Sequence, residues 1–159
     1  MLFGKDCTVP NLVLNGKIIE WVKSWTYLGV TLKSHKSFNC CIESKIKSFY
    51  RAANAILRID GRSDEMVMLR LLESQCISIL TYAIEVVHVA NRDERRQLRV
   101  AYNSLFRKIF NYRWSESVSA LQSFLERPTW ELLVEKRRKS FVKRIQESDP
   151  LSLAYQLVT

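Results

Sequence analysis

The hydrophobic period of this 159-residue chain changes once, near Lys33, and does not change back. A stretch of period two followed by a long run of period 3.6 leaves few options: a small β element in front of a helical bundle. Val9, Leu12, Val13 and Leu14 lead into Asn15-Gly16, and Ile18, Ile19, Trp21 and Val22 follow. Asn-Gly accepts the positive φ angles of a type I′ turn, so this segment predicts a β-hairpin. From Trp25 onward, Thr26, Leu28, Val30 and Leu32 alternate with Trp25, Tyr27, Gly29 and Thr31. One extended segment with two faces, a third strand completing a meander, is the expectation.

Beyond Lys33, Ile42, Ile46, Phe49, Ala53 and Ile56 recur at helical steps and predict a helix from about Phe38 to Arg58. Gly61 suits its C-terminal cap, and Ser63 with Asp64 and Glu65 opens a second helix expected to reach Ala90. On it Ser78, Thr81, Glu85 and His88 form one narrow polar stripe. Asn91 and Glu94 resemble a capping box for a third helix ending near Tyr112. A short helix from Ser115 to Glu126 stops at Pro128, and a last one runs from Thr129 to Glu147, anchored by Trp130, Leu133, Val134, Phe141 and Ile145. The fold class expected is therefore mainly α, with a β-hairpin or meander over 1–33 and a bundle of four or five helices over 34–159.

Lys and Arg number 25 against 16 Asp and Glu, a net charge of +9, and all but two of those surplus charges fall after Lys33. A polyanion is a more plausible partner than a basic protein. Three rows carry the charge. Lys47, Arg51 and Arg58 recur with Asn54 on the first helix, away from its apolar face. Arg92, Arg96, Arg99 and Arg107 recur with Asn103 on the third. The last helix holds Lys136, Arg137, Arg138, Lys139, Lys143 and Arg144 with no acid among them. Rows of this kind suit phosphates, although long cationic side chains also make ordinary solvated helix faces. Trp21, Trp25, Tyr27 and Trp114 are candidates for stacking on bases or sugars, or for core packing.

Catalytic patterns are missing from the sequence. There is no adjacent acidic pair, no Gly-rich phosphate loop and no H-E-x-x-H, and neither His35 with Cys40 and Cys41 nor Glu85 with His88 has metal-ligand spacing. No cofactor and no metal is expected, and Glu85 reads as facing water or pairing with His88. The cysteines, Cys7, Cys40, Cys41 and Cys76, fit reduced thiols, with Cys76 a small core residue. No signal peptide is visible, and the apolar run from Cys76 to Ala90 is short of a spanning helix, so an intracellular protein with no membrane role is expected.

Trp25-Thr26-Tyr27-Leu28-Gly29-Val30 resembles the Y-L-G-V segment that follows the palm in reverse transcriptases of non-LTR retrotransposons, the LINE type. The order downstream is similar too: Lys45-Ile46-Lys47, Leu69-Arg70-Leu71-Leu72, the string from Ile79 to Val87, and Leu98-Arg99 to Arg107-Lys108-Ile109. Ser119-Ala120-Leu121 and Arg127-Pro128 continue the likeness, which covers about Met1 to Glu147. The family usually shows Tyr-Gly before the acidic residue and a Trp soon after it, where this chain has Tyr82-Ala83 and Glu85-Val86-Val87.

The resemblance implies a palm-end element and a thumb-like bundle of an RNA-directed DNA polymerase. The family's paired aspartates lie upstream of Y-L-G-V, so it implies a catalytically incomplete fragment with no catalytic residue to carry over. It further implies that Lys47, Arg51 and Arg58 lie along a template–primer duplex and that Trp25 and Tyr27 touch the primer strand. A second expectation comes from another class: a helical interaction or scaffold module whose open sheet pairs with itself or with a partner.

Overall fold

Residues 10–34, 39–59, 64–85 and 92–148 are described by the structure, a computed structural model. Two tight turns, each with positive φ at both central residues, shape its β part. Asn15 (φ 50°) and Gly16 (φ 76°) join β1 (Leu12–Leu14) to β2 (Lys17–Ile19), with Leu14 opposite Lys17. Leu28 (φ 45°) and Gly29 (φ 75°) repeat that geometry between β3 (Ser24–Tyr27) and β4 (Val30–Lys33). The single third strand expected from Trp25 to Leu32 is therefore a second hairpin. Leucine has no preference for positive φ, so the turn leaves no mark in the pattern.

Folding back at Leu28 also regroups the faces. Thr26 now stands opposite Thr31, their Oγ1 atoms 3.0 Å apart, and Trp25 opposite Leu32. A two-residue strand, β5 (Asn39–Cys40), pairs with β4, giving the order β3-β4-β5, while β1-β2 is a separate ribbon. One continuous meander is replaced by two small antiparallel sheets.

Helix α1 (Glu43–Ile59) starts after β5 and buries Phe49 and Ala53 completely. Phe38, Gly61 and Ser63 lie outside the described residues, and the Asp64 carboxylate caps α2 (Glu65–Leu72) by accepting from the Met66 amide at 2.7 Å. A π-helical turn, Glu73–Ile77, joins α2 to the short α3 (Ser78–Thr81). The chain then leaves the helix at Tyr82 (ψ 127°) and passes through Ala83 at φ 54°, so the uninterrupted helix expected to Ala90 is not present. Its polar stripe dissolves with it. Thr81 is buried, donating to the Ile77 carbonyl at 2.9 Å, and Glu85 pairs with Arg137 at 3.5 Å, whereas His88 is outside the described residues.

Helix α4 (Arg92–Ile109) ends at the left-handed Asn111 (φ 53°). Asn91 of the expected capping box is not among the described residues. Helix α5 (Ser119–Phe124) is shorter than expected, because Arg113 to Ser117 form turns in which the Glu116 carboxylate accepts from the Arg113 amide at 2.7 Å. Thr129 caps α6 (Trp130–Gln146) through the Leu132 amide.

Around α4 the core closes: Leu98, Ala101, Tyr102, Leu105 and Phe106 meet Leu69, Leu72, Cys76 and Leu80. The Tyr102 ring packs edge-on against Phe106 at 5.4 Å and tilted against Trp130 at 5.7 Å, and its hydroxyl donates to the Pro128 carbonyl at 2.8 Å. Trp130, Leu133 and Val134 hold the first turns of α6 on that core, while Phe141 and Ile145 stay half-buried. Cys40, Cys41 and Cys76 are free thiols. Among the described residues no helix is long and apolar enough to cross a membrane, and no cluster of His, Cys, Asp and Glu could hold a metal ion.

Candidate nucleic-acid interface

Helical spacing puts Lys47, Arg51 and Arg58 in one row on α1, away from Phe49 and Ala53. All three are exposed, and none has an ion-pair partner among the described residues. Asn54, in the same row, accepts a hydrogen bond from Lys108 Nζ of α4 at 2.7 Å. Lys108 also stands 5.7 Å from the Tyr50 ring centroid, so a fourth cation joins the row from across the bundle. Nothing in the sequence relates these two positions, which are 54 residues apart.

The α4 row faces elsewhere. Lys108 is about a third of a turn around α4 from the line Arg92, Arg96, Arg99, Asn103 and Arg107. That line forms one wall of a groove whose other wall is α6, with Trp130, Val134, Arg138 and Lys139. Its first part holds about 950 Å³ and its second, toward Trp114, about 390 Å³; Arg96, Arg99, Trp130 and Glu131 line both.

Within the groove the arginines differ. Arg99 lies 3.5 Å from Glu131, with both side chains more than half exposed, a contact worth under about 1 kcal/mol. Arg107 stacks on the Trp114 indole, its guanidinium carbon 4.9 Å from the ring centroid, and donates to the Glu116 carbonyl at 3.1 Å. Asn103 accepts from Gln122 at 3.1 Å. Arg92 and Arg96 have no ion-pair partner among the described residues.

On α6 the basic stretch is less free than its composition indicates. Lys139 pairs with Glu135 at 2.6 Å and Lys143 with Glu147 at 3.6 Å, each four residues apart, while Lys136 stays exposed and unpaired among the described residues. The Lys139 ammonium holds the Glu135 carboxyl below the usual carboxylate range. Acids flanking the stretch, rather than within it, supply these pairs.

Trp25 and Tyr27 stand on β3, 60% and 63% exposed, and neither lines the α4 groove. The sequence-predicted residues thus form separate groups: the α1 row, the α4 groove with Arg92, Arg96, Arg99, Arg107 and Lys139, the outer side chains of Lys136 and Lys143, and the β3 aromatics. Arg138 and Lys108 complete two of these groups from other helices. Trp21 is half-buried, with its indole nitrogen lacking a hydrogen-bond acceptor among the described residues.

Between the hairpin and α1 lies a recess lined by Thr26, Thr31, Cys41, Lys45 and Tyr82. Lys45 donates to the Tyr82 carbonyl at 2.6 Å, and burial lowers its ammonium pKa, with the Cys40 and Glu85 charges opposing that shift. Burial likewise raises the Cys40 thiol.

No family model matches the chain, and no solved structure does. It is similar to the RNA-directed DNA polymerase from mobile element jockey of Drosophila funebris, with 27% identity over 156 residues. The match covers 96% of this chain, which spans 17% of that much longer protein. This loose likeness is to an RNA-directed DNA polymerase, a reverse transcriptase, of a mobile element.

Proposed function

We propose that the chain is the palm-end and thumb segment of a reverse transcriptase of non-LTR type and that it holds duplex or RNA–DNA hybrid nucleic acid. In this reading residues 1–33 close the palm, residues 34–159 form the thumb, and the chemistry of polymerisation belongs to residues outside this chain. The observation that carries the reading is the exposed row Lys47, Arg51 and Arg58 on α1, extended by Lys108 and free of ion-pair partners among the described residues. A straight row of cations neutralises successive phosphates without reading bases, as an enzyme moving along any template requires. Trp25 and Tyr27, exposed on β3, are positioned to meet the primer strand, and the action is intracellular.

Fluorescence anisotropy with a blunt RNA–DNA hybrid tests this. Affinity should fall steeply with salt, and replacing Lys47, Arg51 and Arg58 by Ala should reduce the log–log slope by about one unit for each phosphate that is no longer neutralised. Absence of binding at low salt refutes the proposal.

A second reading, a docking or self-association module, is favoured by one observation. Leu12, Val13, Leu14 and Ile18 of the β1-β2 ribbon are all more than half exposed. Light scattering that finds only monomer at high protein concentration counts against self-association.

A further inference from the structure

Trp114 is 67% exposed, and it stands at the mouth of a groove rich in arginine. Such exposure is costly for the largest apolar side chain unless something covers it. One face of the indole is occupied by the Arg107 guanidinium, which the Glu116 carbonyl holds in place. Two thirds of the side chain nevertheless stays open to solvent. Inside the recess beside it, Arg96, Arg99 and Arg107 face a single carboxylate, Glu131, and Asn103 and Gln122 are tied to each other. Arg107 Nε is buried there without an acceptor among the described residues.

We propose that the groove between α4 and α6 is a site for unpaired nucleic acid, in which Trp114 stacks a base while Arg96 and Arg99 hold the neighbouring phosphates. A paired duplex offers no free base face to an indole, whereas a single strand does, and stacking on an aromatic side chain tolerates any base. The recess of about 390 Å³ beside Trp114 is of a size for one nucleotide, and the larger part of the groove, about 950 Å³, continues past Arg92, Arg95 and Arg138, where cations outnumber the carboxylates of Asp93, Glu131 and Glu135. A strand laid along it would exchange the Glu131 contact of Arg99, a loose one at 3.5 Å, for a phosphate. The inference deepens the nucleic-acid reading, yet it rests on residues of α4 and the following turn rather than on the α1 row.

Anisotropy of a labelled oligouridine with the full chain tests it, alongside the blunt hybrid. Trp114→Ala should weaken oligouridine binding about tenfold with little change in salt slope, because no charge is removed, and leave hybrid binding unaffected. Trp114→Phe should recover part of the affinity. Joint replacement of Arg96 and Arg99 by Ala should lower the salt slope for the single strand. Lys47, Arg51 and Arg58 variants should affect the hybrid alone, so failure of the duplex reading and failure of this one are separable. Equal oligouridine affinity in Trp114→Ala and the parent overturns the proposal. So does an abasic strand of equal charge that binds as tightly, or a matching weakening on the hybrid. Trp114 lies on a turn outside the core, and circular dichroism of the variant checks that its helices are intact.

Discussion

The hydroxyl of Tyr82 donates to the carbonyl of Leu28 at 2.7 Å, tying the end of α3 to the tip of the second hairpin across 54 residues. A Cβ added to Gly29 would sit 3.5 Å from the same ring, so the aromatic side chain lies directly on the turn. Tyr82→Phe removes one exposed hydrogen bond and should cost about 0.5–1.5 kcal/mol, read from urea unfolding. Amide hydrogen exchange in β3 and β4 should quicken more than in α4. A uniform change across the chain would show that the Tyr82 hydroxyl does not hold the hairpin.

Leu28 sits in that turn at a disadvantage. It adopts φ 45° and is 72% exposed, so it carries left-handed strain with little burial in return. Leu28→Asn would match the Asn-Gly of the first hairpin and should stabilise the chain by about 0.5–1 kcal/mol. An unfolding midpoint below that of the parent would contradict this.

Ala83 is strained in a similar way, at φ 54° just past α3. Glycine occupies such a position without a Cβ clash. Relief of about 1–2 kcal/mol, less the entropy glycine costs, leaves a net gain of about 1 kcal/mol for Ala83→Gly. Thermal unfolding should move up by about 3 °C.

Burial pushes the Tyr102 hydroxyl up to about 12, with the nearby Glu73 charge adding to the rise and Arg127 opposing it. An acid whose folded value is raised contributes stability below its unfolded value, near 10, and loses it as pH climbs through the folded one. Urea midpoints should therefore fall over that alkaline interval in the parent and less steeply in Tyr102→Phe. At neutral pH that variant should be weaker by about 1–3 kcal/mol, because the Pro128 carbonyl loses its donor. Parallel alkaline curves for the two proteins would refute this assignment.

What the chain discloses before it folds divides along physical lines. Asn15-Gly16 marks its hairpin because the residues themselves favour positive φ, whereas Leu28-Gly29 is held by Tyr82, a partner the local pattern does not contain. The rows on α1 and α4 are legible because exposed cations repeat with the helix and need no tertiary partner. Their surroundings are not: Lys108 reaches Asn54, and Glu131 and Trp114 reach Arg99 and Arg107, only once the helices pack. The pairs of Lys139 with Glu135 and Lys143 with Glu147 are visible as four-residue spacings, and reading the basic stretch by itself overlooks them. The stripe through Ser78, Thr81 and Glu85 assumes that 3.6 residues per turn continue past Thr81, an assumption that the exit from the helix at Tyr82 and Ala83 breaks.

That wide turn acts on everything after it as a change of phase. A π-helical turn accommodates one more residue than an α-helical turn, and one residue is worth about 100° of rotation. It sets the angle at which Thr81 points inward and Tyr82 reaches Gly29. Deleting a single residue between Glu73 and Ile77 would leave composition and hydrophobicity almost untouched while swinging Tyr82 more than a quarter circle off its target. The coupling between helical bundle and hairpin is thus a matter of timing along the helix as much as of which side chains are present.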